Sequence, residues 1–252
     1  MAAQTLQIEA SSVGVSLRPG AVASAALVSW LLVFLCFAAP VRAGFVAGTY
    51  AYGNGDYVKA YAIFRKAAEQ GTATAQRYLG MMYRLGQGVE KDYFKAVRWY
   101  REAAEQGDVE AQYELAVMYH RVRGAKRDYA EAMRWYRAAA EQGHRRAELW
   151  VGVMYARGLG VDQDHGEGAR WYHKAAETGH AVAQYNLGLL YFQGKGVEEN
   201  KVEAHKWVSL FLVQEPDSQH AWTLGEIEQH MTSMEIVEAK ERAKNWRSIS
   251  VR

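Results

Sequence analysis

The chain has 252 residues, half of them hydrophobic and 23% charged, a balance that excludes a wholly disordered polypeptide. Its 30 basic and 28 acidic residues give a formal charge of +2, so no global field draws it to nucleic acid. The single cysteine, Cys36, excludes both an internal disulfide framework and a multi-cysteine zinc site.

Residues 1–43 read as an export signal. Met1–Gly20 is mostly polar or small, with Arg18 near its end, and an apolar block follows from Ala21 to Ala39. Pro40 breaks that block, and Val41-Arg42-Ala43 offers residues that a signal peptidase accepts, with cleavage after Ala43. The alternative is an uncleaved membrane helix, because about nineteen largely apolar residues can just span a bilayer. Leu35 before Cys36 argues against a lipoprotein. Cleavage would remove Glu9, Arg18 and Arg42 and leave a nearly neutral chain without cysteine, exported and periplasmic. The long polar leader also allows a start codon downstream of Met1.

From Gly44 onward the chain repeats itself. Gly71, Gly107, Gly143 and Gly179 stand 36 residues apart, each after Ala-Ala-Glu-Gln or a near copy. Trp99-Tyr100, Trp135-Tyr136 and Trp171-Tyr172 keep the same step, and Trp207 continues the tryptophan column. Ala75, Leu79 and Tyr83 recur every four residues and so form one apolar stripe on a first helix, repeated one period on at Ala111, Leu115 and Tyr119. Gly86-Gln87-Gly88, Gly158-Leu159-Gly160 and Gly194-Lys195-Gly196 end the first helices of three units. Asp92, Asp128, Asp164 and Asn200 then stand where an N-cap is wanted, and a second helix follows through Ala96, Trp99, Tyr100, Ala103 and Ala104. A single helix pair cannot bury both faces, so neighbours must stack. In the third unit Val122 holds the glycine column, and a β-branched residue resists positive φ there. Thr232-Ser233-Met234-Glu235 predicts a capping box that opens a last helix through Trp246.

The run Ala75-Gln-Arg-Tyr-Leu-Gly-Met-Met-Tyr-Arg-Leu-Gly-Gln-Gly-Val89, then Lys91-Asp92 and Trp99-Tyr-Arg-Glu-Ala-Ala-Glu-Gln-Gly107, closely resembles the Sel1-like repeat, a relative of the tetratricopeptide repeat. The expected fold is therefore all-α: a solenoid of about five helix-turn-helix repeats over 44–71, 72–107, 108–143, 144–179 and 180–215, with a helical cap over 216–252. The resemblance implies a protein-binding scaffold, an adaptor or regulator of an envelope process. A cysteine-rich branch of the family is linked to penicillin binding and weak β-lactamase activity. Its repeats carry bridging cysteine pairs that this chain lacks, so a cell-wall or β-lactam enzyme stands only as the alternative.

The residues themselves favour no enzyme. No His-Glu-x-x-His, Gly-x-Ser-x-Gly or Ser-x-x-Lys arrangement occurs. Asp162-Gln-Asp164-His-Gly166 starts like a calcium loop, but its twelfth position is His173 rather than glutamate. His144 and His180 share the column after the repeat glycine, where a turn role explains them. Gly86-Gln-Gly88 lacks the preceding strand and following Lys-Ser of a phosphate loop. The tryptophan and tyrosine columns, spaced for a helix beside alanines, are expected in the core rather than on a stacking platform. No cofactor and no metal are expected.

In an array, the columns that vary between units are free for function. Tyr78, Glu114, Trp150 and Asn186 occupy one such column, and Leu85, Arg121, Arg157 and Gln193 lie seven residues further along the same face. In tetratricopeptide relatives the first helices line the concave surface, so Tyr78, Glu114, Arg121, Trp150, Arg157, Asn186 and Gln193 are the expected partner-binding residues. Aromatics and arginines are the side chains that anchor interfaces, and an ordinary solvated helix face is the competing explanation. Arg121, Arg123, Lys126, Arg127, Arg145 and Arg146 add a local basic stripe, with Glu198 and Glu199 in the matching loop of the last unit. The expected partner is another protein, of the envelope or a membrane. Contact with the membrane itself would come only through an uncleaved N-terminal segment.

Overall fold

A 36-residue period holding two amphipathic stripes demands two helices per unit, each covered by the next. The computed structural model describes residues 45–121 and 127–247 and shows twelve helices and no strand among them. The predicted export signal, Val122, Arg123 and Lys126 lie outside the described residues. Five helix pairs follow one another: α1 (45–53) with α2 (Tyr57–Glu69), α3 (Ala73–Leu85) with α4 (Tyr93–Glu105), α5 (Val109–His120) with α6 (Tyr129–Glu141), α7 (Arg145–Arg157) with α8 (His165–Glu177), and α9 (Ala181–Gln193) with α10 (Lys201–Gln214). The cap is α11 (Trp222–Glu228) and α12 (Ser233–Asn245). From α2 to α10 each helix packs on the one before and the one after, which is the connectivity of an α-solenoid.

The helix ends follow local chemistry. Asp56, Asp92, Asp128, Asp164 and Asn200 each accept a bond from the backbone N–H three residues on, satisfying one orphan donor of the second helix. Gly86, Gly158 and Gly194 close α3, α7 and α9 in the left-handed region. The third unit differs as its sequence requires. There α5 stops one residue early, at His120, and Arg121 caps it with φ −100°.

Alanines sit at the closest crossings, with Ala75, Ala96, Ala103, Ala111, Ala132, Ala147 and Ala183 fully buried. Tyr100, Tyr136 and Tyr172 are buried beside them, as are Trp135 and Trp207. Trp99 and Trp171 also pack against the core but are only half-buried. The cations of Arg98 (5.2 Å) and Lys174 (5.1 Å) lie over their rings. The cap is fixed to α10 by Arg242–Glu203 (2.7 Å), by His205–Glu228 (2.9 Å), and by Trp246 edge-on to Trp207 (6.2 Å). Thr232 and Glu235 form the expected capping box.

A second set of columns binds the units through polar groups. Gln76, Gln112 and Gln184 are buried, yet each Nε2 donates to a carbonyl of the preceding unit: Ala68 (3.3 Å), Ala104 (3.1 Å) and Ala176 (3.2 Å). Their Oε1 atoms accept from Gln106 (2.7 Å), Gln142 (2.8 Å) and Gln214 (2.9 Å) at the end of the following helix. Each amide rung thus joins three successive helices, with a partner for both the nitrogen and the oxygen of the buried amide. The fourth unit has Glu148 and Thr178 in these columns. A carboxylate cannot donate, and Lys174 does so instead: Nζ reaches the Ala140 carbonyl (3.1 Å) and Glu148 Oε1 (3.0 Å). Glu148 Oε2 is left buried without a hydrogen-bond partner.

Candidate functional site

The face of the first helices is built from the repeat upward. Leu79, Leu115, Val151 and Leu187 turn inward, so the residues one place earlier in each helix sit at the edge of the stack, where all four are half-buried. They meet different surroundings. Tyr78 stacks on Phe64 (4.5 Å) and touches Tyr52 (5.6 Å) and Phe45 (5.9 Å), so it packs the joint between the first two units. Glu114 faces Arg84 Nε at 3.7 Å. Trp150 stacks on Tyr136 (5.9 Å, 12° between rings) and meets His120 edge-on (4.6 Å). Asn186 lies within hydrogen-bonding reach of the Tyr172 hydroxyl.

The second-helix tyrosines join these positions together, and sequence reasoning placed them in the core alone. Tyr100 and Tyr172 cross the first helix of their own unit opposite Gly80 and Gly152, where an added Cβ would lie 2.7 and 2.6 Å from the ring. The missing side chain lets each phenol pass through the contact and end beneath the first-helix face. Burial pushes the Tyr100 phenol up, Glu114 adds to the rise, and Arg84, which donates to the hydroxyl at 3.2 Å, opposes it. Burial raises Tyr172 to about 12, against the pull of Arg157 and Asn186. Burial also raises Tyr136, with Tyr113 adding and Arg121 opposing. The signal available in the sequence was the glycine column itself, since Gly80, Gly152 and Gly188 share one period.

The predicted residues therefore do not form a single cluster. Tyr78 belongs to the aromatic joint at the N-terminal end. Trp150 packs on Tyr136, whose phenol also feels the Arg121 charge; Glu114 pairs with Arg84, which donates to Tyr100; and Asn186 meets Tyr172, whose phenol feels the Arg157 charge. Gln193 is exposed at the end of α9. Arg121 and Arg157 are exposed and form no ion pair among the described residues. Of the basic stripe, Arg146 pairs with Glu110 (3.0 Å) and Arg145 donates to the Thr178 carbonyl (3.3 Å), so part of that charge is already compensated. No cluster of metal-ligating side chains occurs among the described residues, and no helix among them is long and apolar enough to cross a membrane.

Comparison with known proteins fits this geometry. A crystal structure of a Sel1 repeat protein from Oxalobacter formigenes is 31% identical, with a TM-score of 0.69 over 80% of this chain and 85% of that one. A protective antigen of uropathogenic Escherichia coli strains with an SLR fold is 34% identical, with a TM-score of 0.72 over 81% of this chain. The chain spans 45% of that protein's length. No curated protein matches. The Sel1 repeat profile matches residues 44–72, 73–108, 109–144, 145–180 and 181–210, and the chain accordingly belongs to the Sel1 repeat family.

Proposed function

We propose that the protein is an exported scaffold, an adaptor or regulator in an envelope process, that holds another protein against the row of its first helices. The observation that carries this reading is Trp150, half-buried on Tyr136, with exposed Arg121 just past the end of α5, its charge felt by the same tyrosine, and exposed Arg157 at the end of the helix that bears Trp150. Tryptophan and arginine at a rigid, partly desolvated position are the side chains that dominate interface energies. Rigidity comes from the stacked tyrosines, so little ordering entropy opposes docking. The partner class follows from the family, whose repeats generally mediate protein–protein interaction.

The Trp150→Ala/Arg157→Ala double variant should bind the partner captured by in-cell crosslinking at least about thirtyfold more weakly, as for loss of a hot spot. Glu102→Ala, on an exposed second-helix position, should bind as the parent does. Equal affinity for parent and double variant removes this face as the binding surface. Export through residues 1–43 is tested by mass spectrometry, which should find a mature chain that begins at Gly44.

A further inference from the structure

The chain holds one tyrosine with a histidine, an arginine and a carboxylate and, 72 residues later, a tyrosine that keeps only the histidine, with Val182 in the column of the carboxylate. Tyr113 on α5 and Tyr185 on α9 occupy the same column two periods apart. At Tyr113 the His144 ring stacks on the phenol ring (4.4 Å, 24°), and the Arg146 guanidinium lies over it at 4.7 Å. One carboxylate, Glu110, holds both: His144 at 3.2 Å and Arg146 at 3.0 Å. The histidine and the arginine come from the next unit of the array.

At Tyr185 there is no next unit. Glu215 stands in the column of the repeat glycines, Pro216 follows, and the chain turns through backbone bonds from Ser218 to Glu215 and from Ala221 to Ser218. A first helix that would cover Tyr185 is replaced by a cavity of about 440 Å³ lined by Val182, Tyr185, Phe211, His220, Glu215 and Asp217. His220 reproduces His144, with its ring 4.7 Å from Tyr185 and tilted by 30°. Phe211 walls the other side at 5.0 Å, and the Tyr185 hydroxyl is fixed by Thr223 at 3.3 Å. Nothing takes the place of Arg146, because no lysine or arginine lines the cavity. Glu215 and Asp217 are exposed at its rim and make no ion pair among the described residues.

We propose that this cavity receives the basic side chain of a partner polypeptide, an arginine or lysine whose cation lies over Tyr185 and is neutralised by Glu215 and Asp217. Charge complementarity selects the occupant. The walls are aromatic and apolar, which suits an alkyl stem, and the only formal charges at the rim are negative. The turns fix the site before the ligand arrives. Asn186 lines this cavity and also meets Tyr172, so the pocket continues the first-helix face. The inference deepens the proposed function and rests on it for the polypeptide nature of the ligand. It also gives the bound segment a charge order, acidic over Arg121 and Arg157 and basic at the C-terminal end of the array.

The test is a displayed library of random twelve-residue peptides. It is selected on the full chain, on Glu215→Gln/Asp217→Asn, and on Arg121→Ala/Arg157→Ala. The parent should enrich peptides with one fixed basic position, which disappears only on the first variant. In the best peptide, replacing that residue by norleucine should weaken binding to the parent about tenfold and leave binding to Glu215→Gln/Asp217→Asn unchanged. The proposal is overturned if no peptide is enriched, if no basic position emerges, or if that position persists on the first variant. Identical selections on the parent and on Arg121→Ala/Arg157→Ala would instead remove the groove reading and leave the pocket standing.

Discussion

Replacing Lys174 with methionine should lower the unfolding free energy by about 2 kcal/mol, less than for a wholly buried pair because Lys174 is half exposed while its partner Glu148 is buried. Glu148 is 1% exposed, so its carboxylate would keep almost none of its hydration and lose its one cation. The Ala140 carbonyl would lose the Lys174 ammonium that donates to it. Methionine also removes the ammonium that lies 5.1 Å from the centre of the Trp171 ring, a loss that Glu148→Gln does not restore. Adding Glu148→Gln should recover most of the difference, because an amide at that place can donate to Ala140 as Gln76, Gln112 and Gln184 donate to their own carbonyls. Urea unfolding of the parent, single and double variants measures the cycle. A methionine variant as stable as the parent would show that Glu148 needs no cation.

Gly160→Ala should cost still more, about 4 kcal/mol or failure to fold, whereas Gly158→Ala, two residues earlier, should cost about 1 kcal/mol. Both glycines have positive φ, 65° for Gly158 and 72° for Gly160. Their surroundings separate them. A Cβ at Gly158 would meet nothing nearer than Gln163 Cβ at 3.4 Å, so only the backbone preference is lost. A Cβ at Gly160 would lie 2.3 Å from the carbonyl carbon and oxygen of Tyr129, at the start of α6 in the preceding unit. Backbone cannot rotate aside as a side chain can. Gly88 against Tyr57 and Gly196 against His165 show the same approach, so this glycine column sets the spacing between units. Calorimetric midpoints of the two alanine variants should differ by several degrees. Equal midpoints would mean that the loop yields.

The architecture was legible because it repeats. Asp92, Asp128, Asp164 and Asn200 stood in one column before any helix was seen, and each caps as expected. Val122 in the glycine column marked the unit whose first helix ends early. The amide rungs were not legible, since Gln76 and Gln106 are 30 residues apart and a glutamine looks the same exposed or buried until its partners are placed. The candidate face was half legible. Variable columns named Trp150 and Arg157, but helical spacing could not show that Tyr136 and Tyr172 support them from the second helices, nor that Tyr78 packs inward. The terminal cavity escaped for the opposite reason, because it is made where the period stops.

The amide rungs also govern how such a chain can lengthen or shorten by duplication. A unit with glutamine in both columns offers each neighbour the same donor and acceptor, so a copy spliced between the second and third units would find its bonds on either side. The fourth unit has no such freedom. Its glutamate is tied to one lysine, and an exchange that brought in the glutamate without the lysine would strand a charge in the interior, which makes this pair a fixed point around which the array is free to grow.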